Sequence, residues 1–340
     1  MDTLDSTAPD ALTPPSFARF WPRLLALVVD ILVLAAAGLA VGIPLFHQAA
    51  ALGTGGRFIG WAVAVCYFGL LGSRLGNGQT PGKRLLKLRV LSAGGEPPQV
   101  SEALVRAMIL TAPWFLNGML LKSLSNDTPV MIVGWVTTTL FGGALLGQIL
   151  LFLFNRPSRR GLHDLACGTY VARIGGRTMP SSPVPLVLER LGSHMTGVLI
   201  AAILLAALSP AFFFTPLGRP LRAVYTAVDT LPEVEVVGIS HTQRIAGNAP
   251  GPSEVLAVSV RLFQPMADAR PELARIAAQV LKATDLPPSA HLSIGIAYGF
   301  DFGFAHWFQT LGLGDTFAHW HATIQTFAPE SEATTGKPQG

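Results

Sequence analysis

Charged residues are scarce in this 340-residue chain. Lys, Arg, Asp and Glu together make up 13% of it, and half of the residues are hydrophobic, whereas soluble globular proteins carry about 25% charged residues. This composition excludes an ordinary soluble protein. Because no basic patch interleaved with aromatic residues occurs, the sequence also predicts no nucleic-acid partner. The remaining class is a polytopic membrane protein with one further domain of roughly 100 residues.

Cysteine is rare as well. Cys66 lies in an apolar run and Cys167 in a basic loop, so the two form no disulfide framework of the kind that small secreted domains use. A nucleophile with recognisable context is also missing. The sequence therefore predicts neither an enzyme nor a resident cofactor.

Long apolar runs are abundant, and runs of about 20 apolar residues are typical of membrane spans. Four of them are long or apolar enough to cross, and a fifth is interrupted by Arg106, Pro113 and Asn117. The four are 24–46, 58–73, 130–154 and 195–214, and the fifth is 103–121. The predicted fold class is a mainly α-helical polytopic membrane bundle of about five transmembrane helices, with a small α+β domain at the C-terminus.

Basic residues predict the orientation, because Lys and Arg concentrate in cytoplasmic loops. They precede the first run and cluster at 74–89 and after 156. Two inside loops cannot flank a single crossing, so 103–121 should also cross, with 122–129 as an outside turn; a re-entrant or surface-lying pair is the alternative. Five crossings place the N-terminus in the cytoplasm and the C-terminal domain on the outer side of the membrane.

The chain changes character after the last run. Helical spacing and alternating Val- and Ile-rich stretches follow in the order α-β-β-α-β between 219 and 311, which favours a small antiparallel sheet with helices on one face. The predicted organisation is a flexible lead (1–16), a membrane domain of about four helices (17–175), a cytoplasmic linker (176–194), a fifth transmembrane helix (195–217), the extracytoplasmic α+β domain (218–312), and an aromatic segment with a disordered tail (313–340).

The tetrapeptide Phe-Ala-His-Trp occurs twice near the C-terminus, at 304–307 and 317–320. His306, His319 and His321 are weak candidates for a metal site, but no Cys or carboxylate spacing typical of zinc accompanies them. Trp prefers the membrane–water interface, so the pattern favours an aromatic segment that rests on the outer leaflet.

Two loops are unusually rich in basic and turn residues. GNGQTPGKRLLKLRVL occupies 76–91 and is predicted to lie on anionic headgroups, to which each Lys or Arg contributes about 1 kcal/mol. In the second loop, 156–173, His163 and Asp164 are adjacent, but nothing beside them is typical of a hydrolase.

Three stretches, in this order, resemble the RDD family of bacterial membrane proteins: RLLALVVDILVL, GQTPGKRLLKLRVL and RRGLHDLACGTYV, which begin at residues 23, 78 and 159. The resemblance covers about residues 17–173. It implies that Arg23, Asp30 and Asp164 are the arginine and two aspartates for which the family is named, and it matches Gly82, Lys83 and Arg106 to further family positions. Lys87 stands where relatives tend to have Gly, which bears on the backbone geometry there. Some family members are linked to ion transport, including Na⁺/H⁺ antiport.

Asp30 is a carboxylate inside an apolar run. It lies about 10.5 Å beyond Arg23 along a helix, at a depth where an unpaired charge costs about 3 kcal/mol or more. We expect Arg106 to meet Asp30 and Arg23 to meet Asp164. The predicted function is that of a bacterial inner-membrane protein of this family that transports ions or small solutes, in the manner of a cation/proton antiporter, with Asp30 binding the cation or proton. Alternatively, the two pairs only hold the helices of the bundle together. The competing function is a non-transporting scaffold or sensor whose outer domain binds a partner; association between copies of the chain stays open.

Overall fold

The computed structural model describes residues 17–116, 128–155, 158–174, 193–208, 211, 215–216, 218–244, 253–264 and 270–327. The predicted lead (1–16), most of the linker (176–194), most of the outside turn (122–129) and the tail beyond 327 lie outside these residues. The chain divides into two compact units. Unit 1 consists of residues 1–37, 58–118 and 137–206, and unit 2 of residues 38–57, 119–136 and 207–340.

Three helices of the described chain are long and apolar enough to cross a membrane. They are α1 (Phe20–Gly42), α3 (Gly55–Gly72) and the part of α6 (Thr128–Phe154) that begins at Ile132. They match three predicted runs, so the chain is a mainly helical membrane protein. The other two predicted crossings correspond to α5 (Val100–Leu116) and α8 (Ser193–Leu208), which are shorter; crossing by these two helices stays a prediction.

Within the described ranges, three short α-helices and two short strands lie between these longer helices. The helices are α2 (Phe46–Ala50), α4 (Pro81–Leu85) and α7 (Leu162–Ala166), and the strands are β1 (Leu88–Ser92) and β2 (Thr169–Arg173). The strands pair antiparallel, with Val90 opposite Val171. Their buried residues pack with Ala18 and Ala26. The two basic loops singled out in the sequence therefore meet in one small sheet.

Lys87, immediately before β1, adopts a φ of 54°. This left-handed conformation favours glycine, which has no Cβ to clash with the following carbonyl. A glycine would fit this backbone without strain, and here a lysine adopts it.

The C-terminal domain consists of α9 (Arg219–Asp229), β3 (Val234–Arg244), β4 (Ser253–Leu262), α10 (Arg270–Ala283), β5 (His291–Asp301), β6 (His306–Thr316) and α11 (Phe317–Phe327). Its sheet has the order β3-β4-β5-β6. The expected purely antiparallel sheet is wrong, because β4 and β5 are parallel. Helix α10 connects these two strands and returns the chain to the end where a parallel strand must begin.

The segment 306–327 also differs from the prediction. His306–Thr316 forms a fourth strand, which the sequence did not predict because Gly312 and Gly314 interrupt its pattern of strand-forming residues. Contact of this segment with the membrane surface stays a prediction. In the second Phe-Ala-His-Trp repeat, Phe317 and Trp320 are buried in the core of the domain, and Trp320 Nε1 donates a hydrogen bond to the Leu292 carbonyl at 3.0 Å. This repeat is therefore part of α11 and its packing.

The three candidate metal-binding histidines lie on different elements. His306 begins β6, whereas His319 and His321 lie in α11. Within the described residues, no group of three or more His, Cys, Asp or Glu side chains is placed to hold a metal ion.

Candidate functional site

The Asp164 carboxylate joins three elements of unit 1. Its Oδ1 accepts hydrogen bonds from Arg106 Nε at 2.9 Å and Nη2 at 2.7 Å, and its Oδ2 accepts one from Arg23 Nη2 at 2.8 Å. Thr169 Oγ1 adds a further bond to Oδ1 at 3.1 Å. Because Arg23 lies in α1, Arg106 in α5 and Asp164 in α7, this one carboxylate holds two long helices and a short one together.

All three charged groups of this cluster are buried. Asp164 is 0% exposed, Arg106 4% and Arg23 8%. Burial alone would raise the pKa of Asp164, but the charges of Arg106 and Arg23 outweigh it and hold that pKa well below its usual range. The carboxylate is therefore ionised at any physiological pH. Buried ion pairs are costly to desolvate, and removing one partner is strongly destabilising.

Backbone carbonyls between residues 159 and 169 accept further hydrogen bonds from the arginines around this site. Arg23 Nη1 donates to the Arg159 carbonyl at 2.6 Å. Arg160 donates from Nε to the Thr169 carbonyl at 3.0 Å and from Nη2 to the Asp164 carbonyl at 3.1 Å. The guanidinium groups thus fix the path of the chain from 158 to β2.

His163 connects α7 to α6. Its Nδ1 lies 2.6 Å from Gln148 Oε1, and Gln148 Nε2 donates to the carbonyls of Ile109 and Leu110 in α5 at 3.0 and 3.1 Å. Burial, helped by the charge of Arg106 and opposed by that of Asp164, lowers the pKa of His163 to about 3. The imidazole is therefore neutral, and its Nδ1–H donates to the amide oxygen.

The lowered pKa of His163 predicts acid sensitivity. Between its ordinary pKa of about 6.5 and its folded pKa of about 3, the unfolded chain binds a proton that the folded chain excludes, so folding stability falls as the pH drops through this window. We expect the midpoint of thermal unfolding in detergent to fall more steeply between pH 6.5 and pH 3 for the wild type than for His163→Gln. The exposed residue His291 supplies the control His291→Gln. Parallel pH profiles for wild type and His163→Gln would show that His163 titrates freely.

Asp30 occupies a second buried site, built from neutral donors. Thr80 Oγ1 donates to Asp30 Oδ2 at 2.5 Å, and the Gly82 N–H and the Tyr67 hydroxyl each donate to Oδ1 at 2.9 Å. Asp30 is 1% exposed and Thr80 is fully buried. The carboxylate in the span is thus satisfied by the start of α4 and by a side chain of α3.

Local sequence explains why α4 reaches this carboxylate. Thr80 is its N-cap, Pro81 occupies the first helical position, and the Thr80 side chain accepts a hydrogen bond from the Lys83 N–H at 3.4 Å. Ser or Thr followed by Pro is a favourable helix start. A Cβ at Gly82 would collide with the Ala26 carbonyl oxygen and lie 3.0 Å from the Asp30 Cγ. Only glycine lets α4 approach α1 this closely.

Comparison with family models identifies this part of the chain: residues 17–168 match the model of the RDD family. This segment is an RDD domain. Comparisons with curated proteins and with solved structures gave no significant match. The match ends four residues after Asp164 and includes both buried carboxylates, Asp30 and Asp164.

Of the two expected pairings in the RDD domain, the structure contains one. The pairing of Arg23 with Asp164 is confirmed. The pairing of Asp30 with Arg106 is wrong, because Arg106 binds Asp164 instead. Among the described residues, no Lys or Arg nitrogen lies within 4.0 Å of the Asp30 carboxylate.

Lys83 lies beside the Asp30 site without binding Asp30 directly. Its Nζ lies 3.4 Å from Thr80 Oγ1 and 5.8 Å from the centre of the Phe68 ring. Burial, together with the charge of Arg106, lowers the pKa of Lys83 to about 8. This lysine faces the RDD polar sites, whereas Arg84 and Lys87 of the same loop are exposed.

Sequence reasoning did not identify several polar residues of the RDD domain. They are Tyr67, Thr80, Gln148, Arg160 and Thr169. The Thr-Pro-Gly stretch carried a usable signal for Thr80, since it is the pattern of a helix start. The other four carry none, because single Tyr, Gln, Arg and Thr residues are common at apolar helix edges and in loops.

Proposed function

We propose that the protein is a non-transporting membrane scaffold, in which the RDD domain is a rigid anchor for the C-terminal α+β domain. The observation that carries this proposal is the saturation of Asp164. Both of its oxygens are bound by arginines of two helices, and the carboxylate is 0% exposed. A carboxylate with these partners holds helices together and leaves no position for a solute.

The connections within each unit support an orientation in which the N-terminus is cytoplasmic and the C-terminal domain lies outside. Pairing of β1 with β2 places the ends of both basic loops together, so the chain from 93 to 168 must return to the side of the membrane from which it left. Since α6 is long enough to cross, a second crossing before it, involving α5, satisfies this requirement. In unit 2, the connection between α1 and α3 packs against the sheet, where Phe46 contacts Tyr298 and Phe300. This contact favours a C-terminal domain outside, opposite a cytoplasmic N-terminus.

The exposed surfaces agree with the partners of a scaffold. Arg84 and Lys87 are exposed in the first basic loop, where they would meet anionic headgroups on the cytoplasmic side. Outside, β6 is an edge strand, and edge strands present unpaired backbone groups that another chain can bind. The outer domain would therefore supply the surface that binds a partner protein or a second copy of the chain.

Cation or proton transport is the second candidate, and one observation favours it. Asp30 is a carboxylate within a candidate span whose described hydrogen-bond donors are all neutral. Such a group can release a proton or take up a cation in exchange, which is the chemistry that antiport requires.

Flux through purified protein in liposomes distinguishes the two candidates. We expect the rate of internal pH change after a Na⁺ or K⁺ pulse to equal that of protein-free liposomes, for wild type and Asp30→Asn alike. Asp285→Asn, at an exposed position of the C-terminal domain, is the control for the chemical change. A cation-dependent pH change in wild type that Asp30→Asn abolishes and Asp285→Asn preserves would overturn the scaffold proposal and establish the second candidate.

A further inference from the structure

We propose that the turn between β5 and β6 is a membrane-inserted wedge, and that Trp307 at its base contacts phospholipid in the outer leaflet. The wedge is defined as residues 302–307. This inference concerns a lipid contact of the C-terminal domain and does not depend on whether the RDD domain transports a solute.

The wedge packs against the last turns of a membrane span. In unit 2, a Cβ added at Gly38 would lie 2.6 Å from both Ala305 Cβ and Phe304 Cε2, and one added at Gly42 would collide with the Phe300 ring. The two glycines of α1 thus form a notch that receives the turn. Because a helix rises 1.5 Å per residue, Gly38 lies about 6 Å before the end of α1. The wedge therefore reaches into the depth that this span occupies in the bilayer.

The turn has a fixed conformation. Phe302 N–H donates to the Ala305 carbonyl at 2.8 Å, and Gly303 N–H donates to Asp301 Oδ1 at 2.7 Å. Gly303 has a φ of 82°, which a residue with a side chain rarely adopts. Phe300 and Phe302 pack with Ala49. A preformed apolar turn can enter a membrane without ordering of its backbone.

The wedge and most of β6 carry no charged side chain. Asp301 is the last charged residue before Asp315, so residues 302–314 contain no Lys, Arg, Asp or Glu. Immediately behind the turn, Asp301 lies 3.6 Å from Arg261 and 4.0 Å from Arg57, and Arg261 lies 3.9 Å from Glu235. An apolar tip followed by a belt of charges matches the change from hydrocarbon to headgroups in a bilayer.

Trp307 completes this pattern. This residue is 52% exposed although it lies near the start of β6, opposite Phe300 of β5, and Trp is enriched at the boundary between hydrocarbon and headgroups. The notch in α1, the uncharged turn and the charged groups behind it all belong to unit 2. Lipid is therefore the occupant that this surface fits; a second copy of the chain is the alternative that the experiment must distinguish.

Spin-label accessibility tests the wedge. The full chain, with Cys66→Ala and Cys167→Ala, carries a nitroxide at Trp307→Cys or, as control, at His291→Cys, an exposed position at the other end of β5. Both are reconstituted into vesicles of phosphatidylethanolamine and phosphatidylglycerol. We expect molecular oxygen, which concentrates in lipid, to relax the label at 307 more than a water-soluble nickel chelate does, and the reverse at 291.

Two results would overturn the wedge. Nickel-dominated relaxation at 307 would place this residue in water. Exclusion of both reagents at 307, relieved when the protein is diluted in lipid, would show a contact between copies. The unlabelled protein provides an independent measurement: lipids brominated on their acyl chains should quench tryptophan emission less in Trp307→Phe than in the wild type. If the brominated lipids removed the same amount of tryptophan emission from both proteins, Trp307 would not contact lipid. This result would hold even if the cysteine variant folds poorly.

Discussion

Asp164→Asn should lower the free energy of unfolding by about 3–5 kcal/mol, the range measured when one partner of a buried ion pair is removed. An asparagine can still accept a hydrogen bond from one arginine, but its NH₂ group then faces the other. Arg23 and Arg106 would remain buried, at 8% and 4% exposure, without the charge that compensates them. Denaturation by SDS in mixed micelles, followed by circular dichroism, measures the loss.

The control for this substitution is Asp285→Asn, which changes the same group at an exposed site and should stay within about 0.5 kcal/mol of wild type, as surface substitutions do. If Asp164→Asn were equally mild, the two arginines would have to be satisfied by other partners. The claim that Asp164 holds α1, α5 and α7 together would then be refuted.

Gly82→Ala should destabilise the RDD domain by about 2–4 kcal/mol. The added methyl group would collide with the Ala26 carbonyl of α1, and overpacking of this kind costs about 1–3 kcal/mol. Relief of the collision by movement of α4 would also break the Gly82 N–H bond to Asp30, and a hydrogen bond to a charged group contributes about 1.5–3 kcal/mol. Thermal unfolding in detergent, monitored by loss of unaggregated protein, measures the effect.

Gly94→Ala is the matched control in the same unit, because a Cβ at Gly94 meets nothing within 4 Å. We expect it to unfold like the wild type. If Gly82→Ala did the same, α4 would not lie against α1, and the neutral-donor site of Asp30 would lose its structural basis.

The membrane class and three of the helices could be predicted from sequence because each depends on a local property. Apolar runs of about 20 residues are visible without knowledge of any partner. The pairing of Arg23 with Asp164 was predictable for a related reason: the distribution of basic residues predicts that both residues lie on the same side of the membrane. The family resemblance selected the same residues.

The partner of Asp30 could not be predicted, because it depends on how helices rotate and on where a loop folds back. Arg106 was the natural candidate as the other charge in an apolar run, but the guanidinium binds Asp164. The first basic loop folds back so that Thr80 and Gly82 are buried against α1. A hydrogen bond from a backbone N–H leaves no residue-type signal in the sequence.

In the C-terminal domain, strand pairing likewise could not be predicted from local sequence. Alternation of Val and Ile predicted β3, β4 and β5, but alternation does not reveal whether neighbours run parallel. Strand β6 was not predicted because His, Gln and Gly interrupt the alternation of polar and apolar residues. As an edge strand, it is also exposed along most of its length. Long-range pairing with β5 supplies the hydrogen bonds that its local sequence does not predict.

A double-mutant cycle between Arg106 and Asp164 tests most directly whether this buried ion pair holds the helices together. Unfolding free energies of wild type, Arg106→Gln, Asp164→Asn and the double variant give the interaction energy of the pair. Two hydrogen bonds of 2.9 and 2.7 Å join these buried groups, so we predict an interaction energy of at least about 1.5 kcal/mol, the lower end of values for close charge pairs at buried interfaces. Single-variant losses that add to within about 0.5 kcal/mol would contradict the proposal that this ion pair holds α5 to α7.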